Sequence, residues 1–97
     1  AYYHMRMNEL IFLTTQDCTL CDQALDVVLR HPSLAGMQLR VIDVMSDDEL
    51  FTRYGHDIPL IAVQVNGQLL DGCKCLCWPF DNEAISDWLH KVDYSTS

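Results

Sequence analysis

Apolar residues fall along this chain in blocks whose period changes. Glu9-Leu10-Ile11-Phe12-Leu13-Thr14 is a short apolar run bounded by polar residues, the mark of a buried strand. From Cys18 to Arg30 the period lengthens. Cys21, Ala24, Leu25, Val28 and Leu29 recur at spacings of three and four, which predicts a helix with one apolar face, capped by Asp17 and ended by Pro32. Leu39 to Val44 is rich in Val and Ile and predicts a second strand. Ser46-Asp47-Asp48-Glu49 reads as a capping box, in which hydroxyl and carboxylate each satisfy a free backbone N–H. It opens a short helix through Tyr54, closed by Gly55. Pro59 starts a third strand, Leu60 to Val65, where proline is tolerated. Asn66-Gly67 is a two-residue hairpin signal, and Gln68 to about Cys73 returns as a fourth strand. Asp81 caps a last helix whose Ile85, Trp88, Leu89 and Val92 follow the helical repeat.

The predicted order is β-α-β-α-β-β-α. The first β-α-β unit is parallel with a right-handed crossover, and the hairpin adds antiparallel strands, so the sheet is mixed and flanked by helices. A length of 97 residues accommodates one domain, placed at 8–93. Residues 1–7 read as a tag remnant or disordered N-terminus, since His4-Met5 resembles a cloning scar, and 94–97 as a frayed tail.

Composition narrows the class. Hydrophobic residues make up 49% and charged residues 21%, values of a globular chain. Fourteen acids against six bases leave a net charge of −8, and Arg6, Arg30, Arg40, Arg53, Lys74 and Lys91 are scattered. Nucleic acid and anionic membranes both require clustered cations, so neither is an expected partner. The longest pure apolar run, Leu10 to Leu13, is far short of the ~20 residues of a membrane span. Ala1 to Asn8 lack the apolar core of a secretion signal. The five cysteines, at 18, 21, 73, 75 and 77, are odd in number, which argues against a fully paired secreted framework. The expected location is the reducing cytoplasm, where close cysteine pairs are catalytic or metal-binding.

Cys18 and Cys21 stand where the first strand hands over to the first helix. The unpaired N–H groups and dipole of a helix start favour a thiolate, the nucleophile of disulfide exchange. Asp17 and Asp22 oppose it, and no Lys or Arg lies between Asn8 and Leu29 to offset them. Cys21 is one turn on and shares the stripe of Leu25 and Val28, so Cys18 is the expected attacking sulfur and Cys21 the resolving one. Half of a zinc site, or a passive pair, are the alternatives. Cys73, Cys75 and Cys77 would share one face of an extended segment. They read as a small apolar face, with a metal site or a secondary redox site as alternatives; no set of four metal ligands is evident. His56 is either a solvated loop residue or an aid to proton transfer, and Trp78 and Phe80 are either core or a docking surface.

The segment Leu10-Ile-Phe-Leu-Thr-Thr-Gln-Asp-Cys-Thr-Leu-Cys21 resembles the opening of glutaredoxins, in particular a group of short glutaredoxin-like proteins. Ile58-Pro59 sits where glutaredoxins and thioredoxins carry a cis-proline facing the cysteines, and Trp78-Pro79-Phe80-Asp81 looks like the closing signature of the short group. The resemblance spans Asn8 to Val92. It implies a thioredoxin-like α/β fold with a four-stranded mixed sheet, a thiol–disulfide oxidoreductase acting in cell redox homeostasis, and catalytic Cys18 and Cys21. It also implies substrate binding at Ile58 and Pro59, with Pro59 cis and the Ile58 backbone bonding the bound thiol. Partners would be protein or low-molecular-weight thiols and disulfides and a reductase donor. No cofactor or metal is expected. Glutathione is disfavoured, because Gln16-Asp17 precedes the cysteines and Asp71-Gly72-Cys73 stands after the fourth strand, where glutaredoxins use a basic residue and Gly-Gly-Asp. Two other classes stay open. One is a metal-binding or metallochaperone module joining Cys18 and Cys21 to Cys73, Cys75 and Cys77; the other is a redox-inactive interaction module of the same fold.

Overall fold

The structure is a computed structural model that describes residues 9–34, 36–65, 68–69 and 75–96. Among the described residues five strands and three helices follow in the order β1 (Glu9–Thr14), α1 (Thr19–Arg30), β2 (Gln38–Asp43), α2 (Asp48–Tyr54), β3 (Leu60–Val65), β4 (Gln68–Leu69), β5 (Leu76–Cys77) and α3 (Asn82–Thr96). Short 3₁₀ turns at Pro32–Leu34 and Val44–Ser46 link them. The sheet order is β2-β1-β3-β4, with β5 also paired to β3. The β1–β2 pair is parallel and every pair made by β3 is antiparallel. This is the mixed α/β sheet that the element order predicts, in the thioredoxin-like arrangement that the resemblance implies.

Among the described residues two short strands pair with β3 on this side of the sheet, and the expected run of the fourth strand from residue 70 to Cys73 lies outside them. Gln64 pairs with Leu69 and Ile61 pairs with Leu76. Asn66-Gly67 and Cys73 lie outside the described residues, as do residues 1–7.

Side-chain alternation divides the core into two. Leu10 and Phe12 of β1 and Ile61 and Val63 of β3 join Ala24 and Val28 of α1 and Ile85, Trp88 and Val92 of α3. On the other face Ile11, Leu13, Leu60 and Ala62 pack with Val44 and Tyr54. Such burial of apolar area is the main stabilising term for the fold.

Several local expectations shift by a residue or two. Cys18, not Asp17, is the N-cap of α1, and Asp17 takes a left-handed backbone with φ 56°. Leu29 is 61% exposed rather than on the buried stripe. At 3.6 residues per turn it lies roughly 110° around the helix from the centre of the Cys21, Ala24 and Val28 row. The cap of α2 is Asp47, whose Oδ1 accepts from the N–H groups of Glu49 at 2.8 Å and Leu50 at 3.1 Å. Ser46 belongs to the preceding turn and donates to the Asp43 carbonyl at 2.6 Å. The second strand ends at Asp43, with Val44 in that turn. Asp81 caps α3 as expected, accepting from the Ala84 N–H at 2.8 Å, but the helix runs on to Thr96 where a frayed tail was expected.

One buried polar group ties helices together. His31, 3% exposed, follows α1 and accepts the Ser33 N–H on Nδ1 at 3.1 Å. That leaves Nε2 as the protonated nitrogen, within 3.2 Å of the Asn82 carbonyl and 3.1 Å of Ser86 Oγ at the start of α3.

Candidate active site

The turn between β1 and α1 builds the reactive pair. Thr15 to Asp17 carry the chain off the sheet, the left-handed Asp17 redirects it, and Cys18 enters as an extended cap. A residue at the cap and one three positions on meet across the first helical turn. The Cys18 and Cys21 sulfurs are accordingly joined as a disulfide, with Cα atoms 5.2 Å apart. The two differ in environment. Cys21 is 3% exposed on the inner face of α1, whereas Cys18 is only half-buried. The Cys21 N–H also donates to Cys18 Sγ at 3.2 Å.

Strand register places the other expected site residues. Leu13 pairs with Leu60, so the next rung sets Thr14 beside Pro59. On the far side of β3 the Trp78 N–H donates to the Pro59 carbonyl at 2.9 Å. The exit of β1 toward the cysteines, the entry of β3 at Ile58-Pro59 and the exit of β5 at Trp78-Pro79 therefore lie at one end of the sheet. The Ile58-Pro59 bond is cis, as the resemblance implies, and Trp78-Pro79 is cis as well. Only the proline itself signals that second bond in the sequence. Phe80 is buried, and Trp78 packs edge-on against it with ring centroids 5.1 Å apart, so both belong to the core of the α1 and α3 face.

Among the described residues, Cys75 and Cys77 are not gathered to this pair. Cys77 pairs with Leu60 and Cys75 packs with the Ile58, Leu60 and Ala62 group, which places both on the α2 side of the sheet. The Cys18–Cys21 disulfide opens the helix that packs on the opposite side. Among the described residues no three His, Cys, Asp or Glu side chains group so as to hold a metal ion. Cys77 is an exposed free thiol whose pKa is raised above the ordinary thiol value, first by burial of the sulfur and then by the Asp57 carboxylate. His56 is exposed on the turn after α2.

With this geometry in place, residues 9–90 match the glutaredoxin-like domain family (DUF836). The chain belongs to that family. No curated protein matches it. Among solved structures, this glutaredoxin-like chain is similar to the structural genomics target XcR50 from X. campestris. The identity is 25% and the TM-score 0.63, over 84% of this chain and 96% of that one. It is also similar to thioredoxin 1 from Thermosipho africanus, at 11% identity and TM-score 0.60 over 92% and 99% of the two chains. A mutant thioredoxin from Halobacterium salinarum follows at 20% identity and TM-score 0.59, over 90% and 77%. The two thioredoxins speak for the fold. A glutaredoxin-like thioredoxin fold with Cys18 and Cys21 at disulfide distance fits thiol–disulfide redox chemistry. Among the described residues no helix is long and apolar enough to cross a membrane.

Proposed function

We propose that this protein is a thiol–disulfide oxidoreductase that cycles Cys18 and Cys21 between dithiol and disulfide in cytoplasmic redox homeostasis. The reading rests chiefly on the asymmetry of the pair: a half-buried Cys18 at the helix start and a Cys21 that is 3% exposed. In the reduced protein the Cys18 thiolate attacks a substrate disulfide. A Cys18–substrate bond forms and one substrate sulfur leaves as thiolate. Cys21 then loses its proton to solvent and attacks Cys18, releasing the second substrate thiolate. Two electrons pass to the substrate, and an external dithiol or reductase restores the pair.

The chain's own groups serve each step. The first-turn N–H groups, that of Cys21 among them, stabilise negative charge on Cys18 by about 0.3–1 kcal/mol. The Ile58 backbone, held by Pro59 at the end of β3, binds the substrate segment beside the cysteines. Substrates are protein or small-molecule thiols and disulfides. Reduction of insulin with dithiothreitol as donor tests the proposal. Wild type accelerates it, Cys18→Ser abolishes the acceleration, and Cys21→Ser accumulates a mixed disulfide with substrate. Activity retained by Cys18→Ser would refute it.

A further inference from the structure

Three negative or apolar features frame Cys18. Asp17 immediately precedes it and is exposed. Asp22 is exposed in the first turn, its N–H bonded to the Cys18 carbonyl at 3.2 Å. Leu20, between the two cysteines, is 51% exposed, so its apolar side chain is available for contact beside Cys18. Three of the described cations form ion pairs elsewhere. Arg30, the first cation of α1, is about 17 Å along the helix from Thr19 and pairs with Asp26 at 3.1 Å. Arg40 pairs with Glu9 and Arg53 with Glu49.

We propose that this surface selects disulfides carried on positively charged protein segments with an apolar residue next to the cysteine, and discriminates against glutathione, through Asp17, Asp22 and Leu20. The inference rests on the oxidoreductase reading and adds its substrate class. Glutathione carries two carboxylates and one ammonium group, so its approach brings net negative charge toward two carboxylates. A Lys- or Arg-flanked cysteine brings the opposite charge. At the few ångströms that separate a substrate's neighbouring residues from Asp17 and Asp22, unscreened charges matter; at high salt they do not. Leu20 supplies the apolar contact that a small hydrophilic tripeptide leaves unused. The chemistry is the exchange described above, with the same two-electron transfer from the dithiol to the substrate disulfide.

The test compares two disulfide peptides of equal length, one with Lys and Leu flanking the cysteine and one with Glu and Ser, together with glutathione disulfide. Single-turnover reduction by the pre-reduced protein is followed at low and at high salt. The ratio of rates is the readout, because a change in Cys18 acidity moves both rates alike. The cationic peptide is expected to react roughly 10-fold faster or more at low salt, with the ratio falling toward unity at high salt. Asp17→Asn with Asp22→Asn is expected to reduce the low-salt ratio to about 2 or below. Asparagine at 17 keeps the tolerance for a left-handed backbone, so folding is preserved. Leu20→Ser is expected to slow the cationic peptide more than glutathione disulfide. Equal rates for the three substrates, or a ratio untouched by the double variant, overturn the selection while leaving the oxidoreductase reading in place. Reduction of none of them overturns both.

Discussion

The backbone N–H of Cys21 points at the sulfur of Cys18 from 3.2 Å, so the atom that caps α1 is the same atom that bonds the Cys21 side chain. In the reduced protein this N–H faces the Cys18 sulfur and stabilises it as an anion. Cys21 is shielded on the buried face of α1, where it is 3% exposed. Limiting iodoacetamide should therefore modify Cys18 well before Cys21, by roughly 10-fold or more in rate. Peptide mapping by mass spectrometry reads the order, and earlier modification of Cys21 would reverse the assigned roles.

Cys77 responds to a different neighbourhood. Its pKa is raised, first by burial and then by Asp57, so at pH 8 its thiolate fraction is small. Asp57→Asn removes the repulsion and leaves the burial, so the pKa falls and alkylation at pH 8 should speed up a few-fold. The sign for stability follows from linkage. The folded protein holds the Cys77 proton to higher pH than the unfolded chain, so this contribution is present below the ordinary thiol range and lost as pH rises above it. Alkylation kinetics in a background with Cys18, Cys21, Cys73 and Cys75 all replaced by Ser isolate the effect. No change on Asp57→Asn would show that the carboxylate does not reach the sulfur.

Asp17 stands at φ 56°, a region that Asp and Asn tolerate and β-branched residues do not. Asp17→Gly should leave stability within about 0.5 kcal/mol, whereas Asp17→Val should cost about 1–2 kcal/mol. Urea unfolding measures both. A neutral valine variant would mean that the turn before Cys18 relaxes to another conformation.

Phe12 is the largest fully buried side chain and belongs to the core that α1 and α3 cover. Phe12→Ala should destabilise the fold by about 3–5 kcal/mol. Because that core seats the helix bearing both cysteines, exchange activity should vanish at the same urea concentration as the helical circular dichroism. Activity outlasting the helical signal would separate the site from the core.

The strand of Glu9–Thr14, the helix after it, the short second helix and the stripe of Ile85, Trp88 and Val92 were all legible in the sequence. Each is written in the spacing of apolar residues along a continuous stretch, and spacing needs no knowledge of distant chain. The Cys18-Thr19-Leu20-Cys21 motif was legible for the same reason, since one helical turn brings both sulfurs together wherever the helix packs.

Cap positions were less secure. Asp17, Cys18, Ser46 and Asp47 can each offer a side chain to a helix start, and the choice depended on the backbone direction entering from the preceding turn.

What spacing along the chain leaves open, tertiary structure decided. Gln64 of β3 pairs with Leu69 and Ile61 with Leu76, because cross-strand pairing and packing over β3 determine which rungs form. That choice set Cys75 and Cys77 on the α2 side of the sheet, away from the face that α1 covers, where the period of two alone left an apolar face, a metal site and a secondary redox site open. His31 lies just beyond α1 in a stretch with no apolar period, yet it is buried because its ring nitrogens meet Ser33, Asn82 and Ser86. The convergence of the Cys18 turn, Pro59 and Trp78 at one sheet end is likewise a product of register. The sequence determined the elements and the reactive pair, since those depend on near neighbours; the surroundings of the pair depend on residues 40 to 60 positions away, which only the packed chain brings together.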